Sequence, residues 1–202
     1  MILVRKESFK EFVLQYPMTT IIVLLNTTIF IFTSFIGGLT NPNILYELGG
    51  ISLDYIVEKE YYRLISSAFI HNGFMHFLLN IGYIIITAPP IEKVLRKQWF
   101  LLLFLFTVLG SSLFTVMFNG DVTVGSSGFG YGILGFYFSI LIWRQGLIDK
   151  ESRLAIIVLI SIVWILTFFI EHISVLGHLG GFVVGVIFGW IFTLNLENTK
   201  IF

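Results

Sequence analysis

The 202-residue chain contains no cysteine, which excludes disulfides, a thiolate nucleophile and any Cys-ligated metal. Charge is scarce as well. Asp, Glu, Lys and Arg make up 12% of the residues, about half the share of a typical soluble domain. The formal net charge is zero, which argues against a nucleic-acid partner. Apolar residues fill the space left, at 56% of the chain. Length alone would suggest one or two soluble domains. Several stretches, however, approach the ~20 apolar residues needed to cross a bilayer. The first ten residues carry charge but lead directly into a full-length span, which argues against a cleaved signal or transit peptide.

Six apolar segments stand out, near 18–36, 74–90, 99–118, 127–143, 154–170 and 175–194. Unpaired backbone in lipid costs several kcal/mol per group, so each must be helical. They are also too long and too uniformly apolar for barrel strands. The fold class is therefore an all-α polytopic membrane protein with six spans over 18–195, flanked by terminal segments 1–17 and 196–202. The connection 37–73 is unusually long. Leu45, Tyr46, Leu48, Ile51, Leu53, Tyr55 and Ile56 recur along it, which predicts a partly structured segment at the interface; a floppy loop is the alternative.

Ten of the twelve basic residues fall on one side of this topology: Arg5, Lys6, Lys10, Lys93, Arg96, Lys97, Arg144, Lys150, Arg153 and Lys200. Only Lys59 and Arg63 fall on the other. The positive-inside rule then predicts cytoplasmic termini in a cell membrane. The long loop, the 119–126 loop and the Glu171-His172 loop face outward.

Polar residues interrupt this apolar pattern at three places. Around the start of the second span lie His71, His76 and Asn80. His76 and Asn80 are four apart and share a helix face, whereas His71 lies before the helix start. Three readings are open. Two histidines could bind a metal, but their spacing does not align them on one face and no HExxH motif is present. The residues could form a structural network tying the long loop to the helix. Alternatively, His76 and Asn80 could stabilise an anion beside Ser127.

Ser127 opens the fourth span, inside the run Gly125-Ser126-Ser127-Gly128. From Ser127 to Arg144 a helix rises ~25 Å, against a hydrocarbon core of ~30 Å. Ser127 is thus expected a few ångströms below the outer surface, at a helix N-terminus whose free N–H groups favour a developing oxyanion. An ordinary N-cap serine fits the motif equally well. Gly128 and Gly132 on the fourth span, and Gly181, Gly185 and Gly189 on the sixth, are spaced for close helix approach in lipid. His178 shares a face with Gly181 and Gly185, and Tyr131 shares one with Ser127. If the two stripes pack together, His178 reaches Ser127 and Tyr131 lies against the imidazole; incidental small-residue packing is the bland alternative. A serine hydroxyl needs a base during attack. No carboxylate lies mid-span on either helix, so the constellation reads as a dyad without the acid of a triad.

These motifs resemble the rhomboid family of intramembrane serine proteases. The likeness rests on His71-x4-His76-x3-Asn80, on Gly125-x-Ser127-Gly128 followed by Tyr131, and on His178-x2-Gly181-x3-Gly185. Each motif is common alone; together, in order and on these spans, they are specific and cover about 60–195. The resemblance implies a six-helix rhomboid-like bundle with a Ser127–His178 dyad in a wet cavity opening outward. His76, Asn80 and the N–H groups of Ser126 and Ser127 would form the oxyanion hole. Tyr131 would stack on His178. Arg63 matches the arginine of a Trp-Arg pair in the outer loop, with Tyr62 departing from the usual tryptophan, and Glu92 resembles an acidic residue closing the second span. The expected partners are transmembrane protein substrates in the bilayer with helix-weakening residues near the cut, entering past the second and fifth helices. No metal or other cofactor is implied. A catalytically inactive relative that binds membrane clients is the alternative. A small transporter is less well supported, because no charged residue lies mid-span.

Overall fold

The computed structural model describes residue 3 and residues 6–38, 41–118, 122–169 and 174–194. Arg5, residues 119–121 of the 119–126 loop, the Glu171-His172 loop, Lys200 and the C-terminal tail lie outside the described residues. Of the described residues 83% are helical, and no strand occurs among them. The elements are α1 (Phe9–Gln15), α2 (Pro17–Phe35), α3 (Pro42–Gly49), α4 (Leu53–Val57), α5 (Arg63–Ser66), α6 (Phe74–Phe118), α7 (Ser127–Trp143), α8 (Lys150–Phe169) and α9 (Val175–Leu194). Four of them, α2, α6, α8 and α9, are long and apolar enough to cross a membrane, and α7 is a shorter apolar helix.

The 45 residues of α6 are two helices meeting at Arg96, whose φ of 61° and ψ of 160° break the run. The sequence pattern predicts spans ending at 90 and restarting at 99. Instead the helix continues through Pro89 and Pro90 to the break. The reason is burial: Ile91 and Leu95 are fully enclosed in the core, one turn apart. Likewise α8 begins at Lys150, four residues before the apolar stretch, because Asp149 caps it. Its carboxylate accepts from the Ser152 N–H at 2.8 Å and the Ser152 hydroxyl at 2.6 Å. Those two bonds hold the Asp149 carboxyl below its usual pKa.

Helix α7 is the hub. Thirteen of its 17 residues are buried, against three of the 20 in α8. Glycine lets α9 lie directly on it. A Cβ on Gly181 would collide with the Gly128 carbonyl, and one on Gly185 with the Gly132 carbonyl. The same holds for Gly135 against the Phe182 carbonyl. In lipid, where burial of apolar surface does not drive helices together, such backbone approach supplies the dispersion contacts that do.

The described part of the 37–73 connection carries short helices, in line with the partly structured segment that its apolar density predicts. Arg63, 4% exposed, collects three backbone carbonyls at the end of α3. It donates to Tyr46 O at 2.6 Å, Glu47 O at 2.9 Å and Gly50 O at 3.0 Å. Tyr55 stacks on its guanidinium at 3.8 Å, and Glu60 pairs with its Nε. That hydrogen bond holds the Glu60 carboxyl below the usual range. Tyr62, where the resemblance leads one to expect tryptophan, is exposed. Further along, Ile51 and Thr123 pair as an antiparallel bridge with both bonds at 2.9 Å. This ties the loop to the segment leading into α7.

At the opposite end, Glu92 holds α2. Its carboxylate, 3% exposed, accepts from the N–H groups of Met18 and Thr19 at 2.8 Å each and from the Thr19 hydroxyl at 2.7 Å. These are donors that a helix N-terminus leaves without partners, where negative charge is also favoured. Glu92→Ala strands them and is expected to cost about 2–4 kcal/mol. A drop in unfolding free energy in mixed micelles, absent in Lys93→Ala, would check this.

Candidate active site

Ser126 is the N-cap of α7 and Ser127 its first residue. The Ser126 side chain makes no capping bond; its hydroxyl instead faces His71 Nε2 at 3.2 Å. The Ser127 hydroxyl faces His178 Nε2 at 2.9 Å. The ordinary N-cap reading of this run therefore does not describe either side chain. His178 is 7% exposed and sits in the first turn of α9, on the glycine face that meets α7. The close approach at Gly128 and Gly181 thus brings a residue from each helix within hydrogen-bond reach, 51 positions apart in sequence.

For Nε2 to accept the serine proton, the imidazole hydrogen must be on Nδ1. Nδ1 is buried with no hydrogen-bond partner, so among the described residues no carboxylate supports the base. Tyr131, one turn beyond Ser127, stacks on the imidazole with ring centroids 3.9 Å apart and planes at 14°.

The second histidine cluster lies beside this pair. His71 and His76 meet edge to face at 5.2 Å. The loop before α7 passes close to His76 at Gly125, whose φ is +122° and whose added Cβ would lie 2.7 Å from Cε1 and Nε2 of the ring. The Gly125 N–H donates to Ser67 O at 2.8 Å, fastening that loop. Asn80 turns its amide onto its own helix and donates to His76 O at 2.9 Å; one amide hydrogen remains for another acceptor. Arg63 and Glu92 stand apart from this cluster, in the loop clamp and helix cap described above. No group of three or more His, Cys, Asp or Glu suited to a metal occurs among the described residues.

The motifs do not reveal a set of hydroxyls behind the serine. A cavity of about 20 Å³ touches Ser127 and His178 and is lined by Ser67, Ser111, Ser112 and Thr115. It has room for one water. Ser112 donates to Leu64 O at 2.8 Å, and Thr115 pairs with Ser174 at 3.4 Å. The available signal was Ser111-Ser112-x-x-Thr115, three hydroxyls on one stretch of an otherwise apolar span.

Apolar helices packed through glycine, with a serine and a histidine paired at the mouth of the central helix, define a polytopic membrane protein with a serine–histidine site. The rhomboid domain model matches residues 58–195, and the chain belongs to the rhomboid family. It is 28% identical to the rhomboid-family protein YdcA of Bacillus subtilis (strain 168) over 199 residues, 96% of this chain and 98% of that one. It is 25% identical to the rhomboid protease GluP of the same organism over 83% of this chain and 33% of that one. With the inactive RHOMBOID-like protein 8 of Arabidopsis thaliana it shares 29% identity over 71% of this chain and 42% of that one.

The tightness at Gly125 yields a direct expectation. Gly125→Ala forces a left-handed backbone and a clash with His76, and should cost about 1–3 kcal/mol. Thermal unfolding in detergent measures it, with the exposed Gly146→Ala as the control.

Proposed function

We propose that this chain is an intramembrane serine endopeptidase that hydrolyses peptide bonds of transmembrane substrates. The observation that carries the reading is the 2.9 Å contact between His178 Nε2 and Ser127 Oγ at the start of the most buried helix. As the hydroxyl oxygen attacks the scissile carbonyl carbon, Nε2 takes the hydroxyl proton. The carbonyl π pair moves onto oxygen, giving a tetrahedral oxyanion. Its collapse expels the amine, which takes the proton from the imidazolium, and leaves an acyl-Ser127 ester. Water, deprotonated by His178, then adds to the ester carbonyl; collapse breaks the bond to Ser127 Oγ, which takes the proton back from the imidazolium as the acid leaves.

The oxyanion would be met by the Ser126 and Ser127 N–H groups and by His76 and Asn80. The helix N-terminus favours that charge, since its first N–H groups have no carbonyl acceptors within the helix. Tyr131 would keep the imidazole in plane. The polar cavity behind the serine is suited to hold the hydrolytic water. Since a helix sequesters its carbonyls in its own hydrogen bonds, substrates must unwind locally before attack. Helix-weakening residues near the outer membrane face, with a small residue at the cut, meet that need.

In this reading the chain crosses the membrane six times. The two halves of α6 supply two crossings, both termini are cytoplasmic, and the site opens outward. YdcA and GluP support a protease. The inactive Arabidopsis relative makes the alternative, a client-binding protein without catalysis, the one to test.

Reconstituted protein is expected to cleave a test transmembrane substrate and to react with a serine-directed phosphonate. Ser127→Ala and His178→Ala should each reduce cleavage at least about a thousandfold. Cleavage surviving Ser127→Ala defeats the assignment, and absence of both cleavage and labelling favours the binder. Orientation has its own measurement, helped by the lack of cysteine. Lys59→Cys should react with an impermeant maleimide in intact cells, and Lys10→Cys only after permeabilisation.

A further inference from the structure

Helix α8 is held to the bundle at few points. Its buried residues are Ser152, Ile156 and Thr167. The first two lie in its initial two turns, so Thr167 alone is buried among residues 157–169 of the helix. The Thr167 hydroxyl donates to its own helix at Val163 O, 2.8 Å away, and this leaves its lone pairs free to accept. The group that meets them is the Tyr131 hydroxyl, which hydrogen-bonds Thr167 and also lies 3.3 Å from Val163 O. Trp164, on the same helix, closes edge-on against the Tyr131 ring at 5.1 Å. The face of that ring stacks on His178.

The base of this site lacks what ordinarily orients it. In a triad, an acid bonded to Nδ1 fixes the imidazole's tautomer and rotation. Here Nδ1 has no partner, so the ring is fixed by Ser127 on one edge and by Tyr131 on its face. Tyr131 in turn is fixed at its far end by α8. We infer that Thr167 is a positioning residue for the reaction. It tethers the Tyr131 hydroxyl and thereby sets the plane of the His178 imidazole, performing through an aromatic ring the orienting task of the missing acid. The inference rests on the Ser127–His178 reading given above. It also makes the seating of α8, in lipid where packing is weak, a condition for a competent base.

Valine and serine separate this role from simple packing. Thr167→Val keeps the shape and loses the hydroxyl; Thr167→Ser keeps the hydroxyl and loses a methyl. The tether requires Val to lower kcat for a test transmembrane substrate by about three- to tenfold, the range for one neutral hydrogen bond. KM should stay unchanged, and phosphonate labelling of Ser127 should slow by the same factor. Ser should restore both rates. Tyr131→Phe should match Val, and the double variant should be no slower than either single one. Parent-like rates in Val with loss in Ser would assign Thr167 to packing and overturn the tether. A rise in KM alone, or additive losses in the double variant, would do the same. If the parent protein itself neither cleaves nor labels while Ser127→Ala behaves identically, the dyad reading falls, and this inference falls with it.

Discussion

Direct backbone contact between α7 and α9 is the constraint on which the site depends. Two helices bearing ordinary side chains keep their axes about 8–10 Å apart, with those side chains filling the seam between them. Glycines 128, 132, 181 and 185 remove that spacing, to the point that a methyl group at Gly181 or Gly185 would overlap a carbonyl of the facing helix. The 2.9 Å serine–histidine contact is a consequence of this approach. So is the stack of Tyr131 on the imidazole, since the tyrosine follows Ser127 by one turn on the same face.

A second constraint comes from burial. α7 has 17 residues, thirteen of them buried. The polar residues around its start pair with one another: Gly125 is fastened to Ser67, Ser126 to His71, and the small cavity beside them is lined in part by hydroxyls. The Ile51–Thr123 bridge joins this mouth to the 37–73 connection, in which Arg63 clamps the end of α3. Loop and site are therefore one structure, held by backbone bonds.

Apolar runs made the helices legible in the sequence, and spacing made the glycine seam legible, because both follow from the period of the helix. Ser127, His178 and Tyr131 could be read for the same reason: each sits at a fixed offset from a glycine of the seam. Contacts between residues distant in the chain could not be read this way. Glu92 is an acid near a span end in the sequence, and only folding shows that its partners are two N–H groups more than 70 residues earlier. Thr167 has no neighbour in sequence to mark it, and the hydroxyls at 111, 112 and 115 matter through what they enclose. The end of the second apolar segment differs in the other direction. The apolar run stops near 90, yet packing of Ile91 and Leu95 carries the helix on to Arg96.

The cap that Glu92 places on α2 also sets an order of assembly. When the first span enters the bilayer during synthesis, the N–H groups of Met18 and Thr19 have no protein acceptor, since Glu92 has not yet been made. Until it arrives those N–H groups have only solvent or lipid headgroups as acceptors. Only when the chain through Glu92 has been made and folded back does the carboxylate come within reach and hold the start of α2. The fixed start of α2 is thus a record that the first half of α6 is in place.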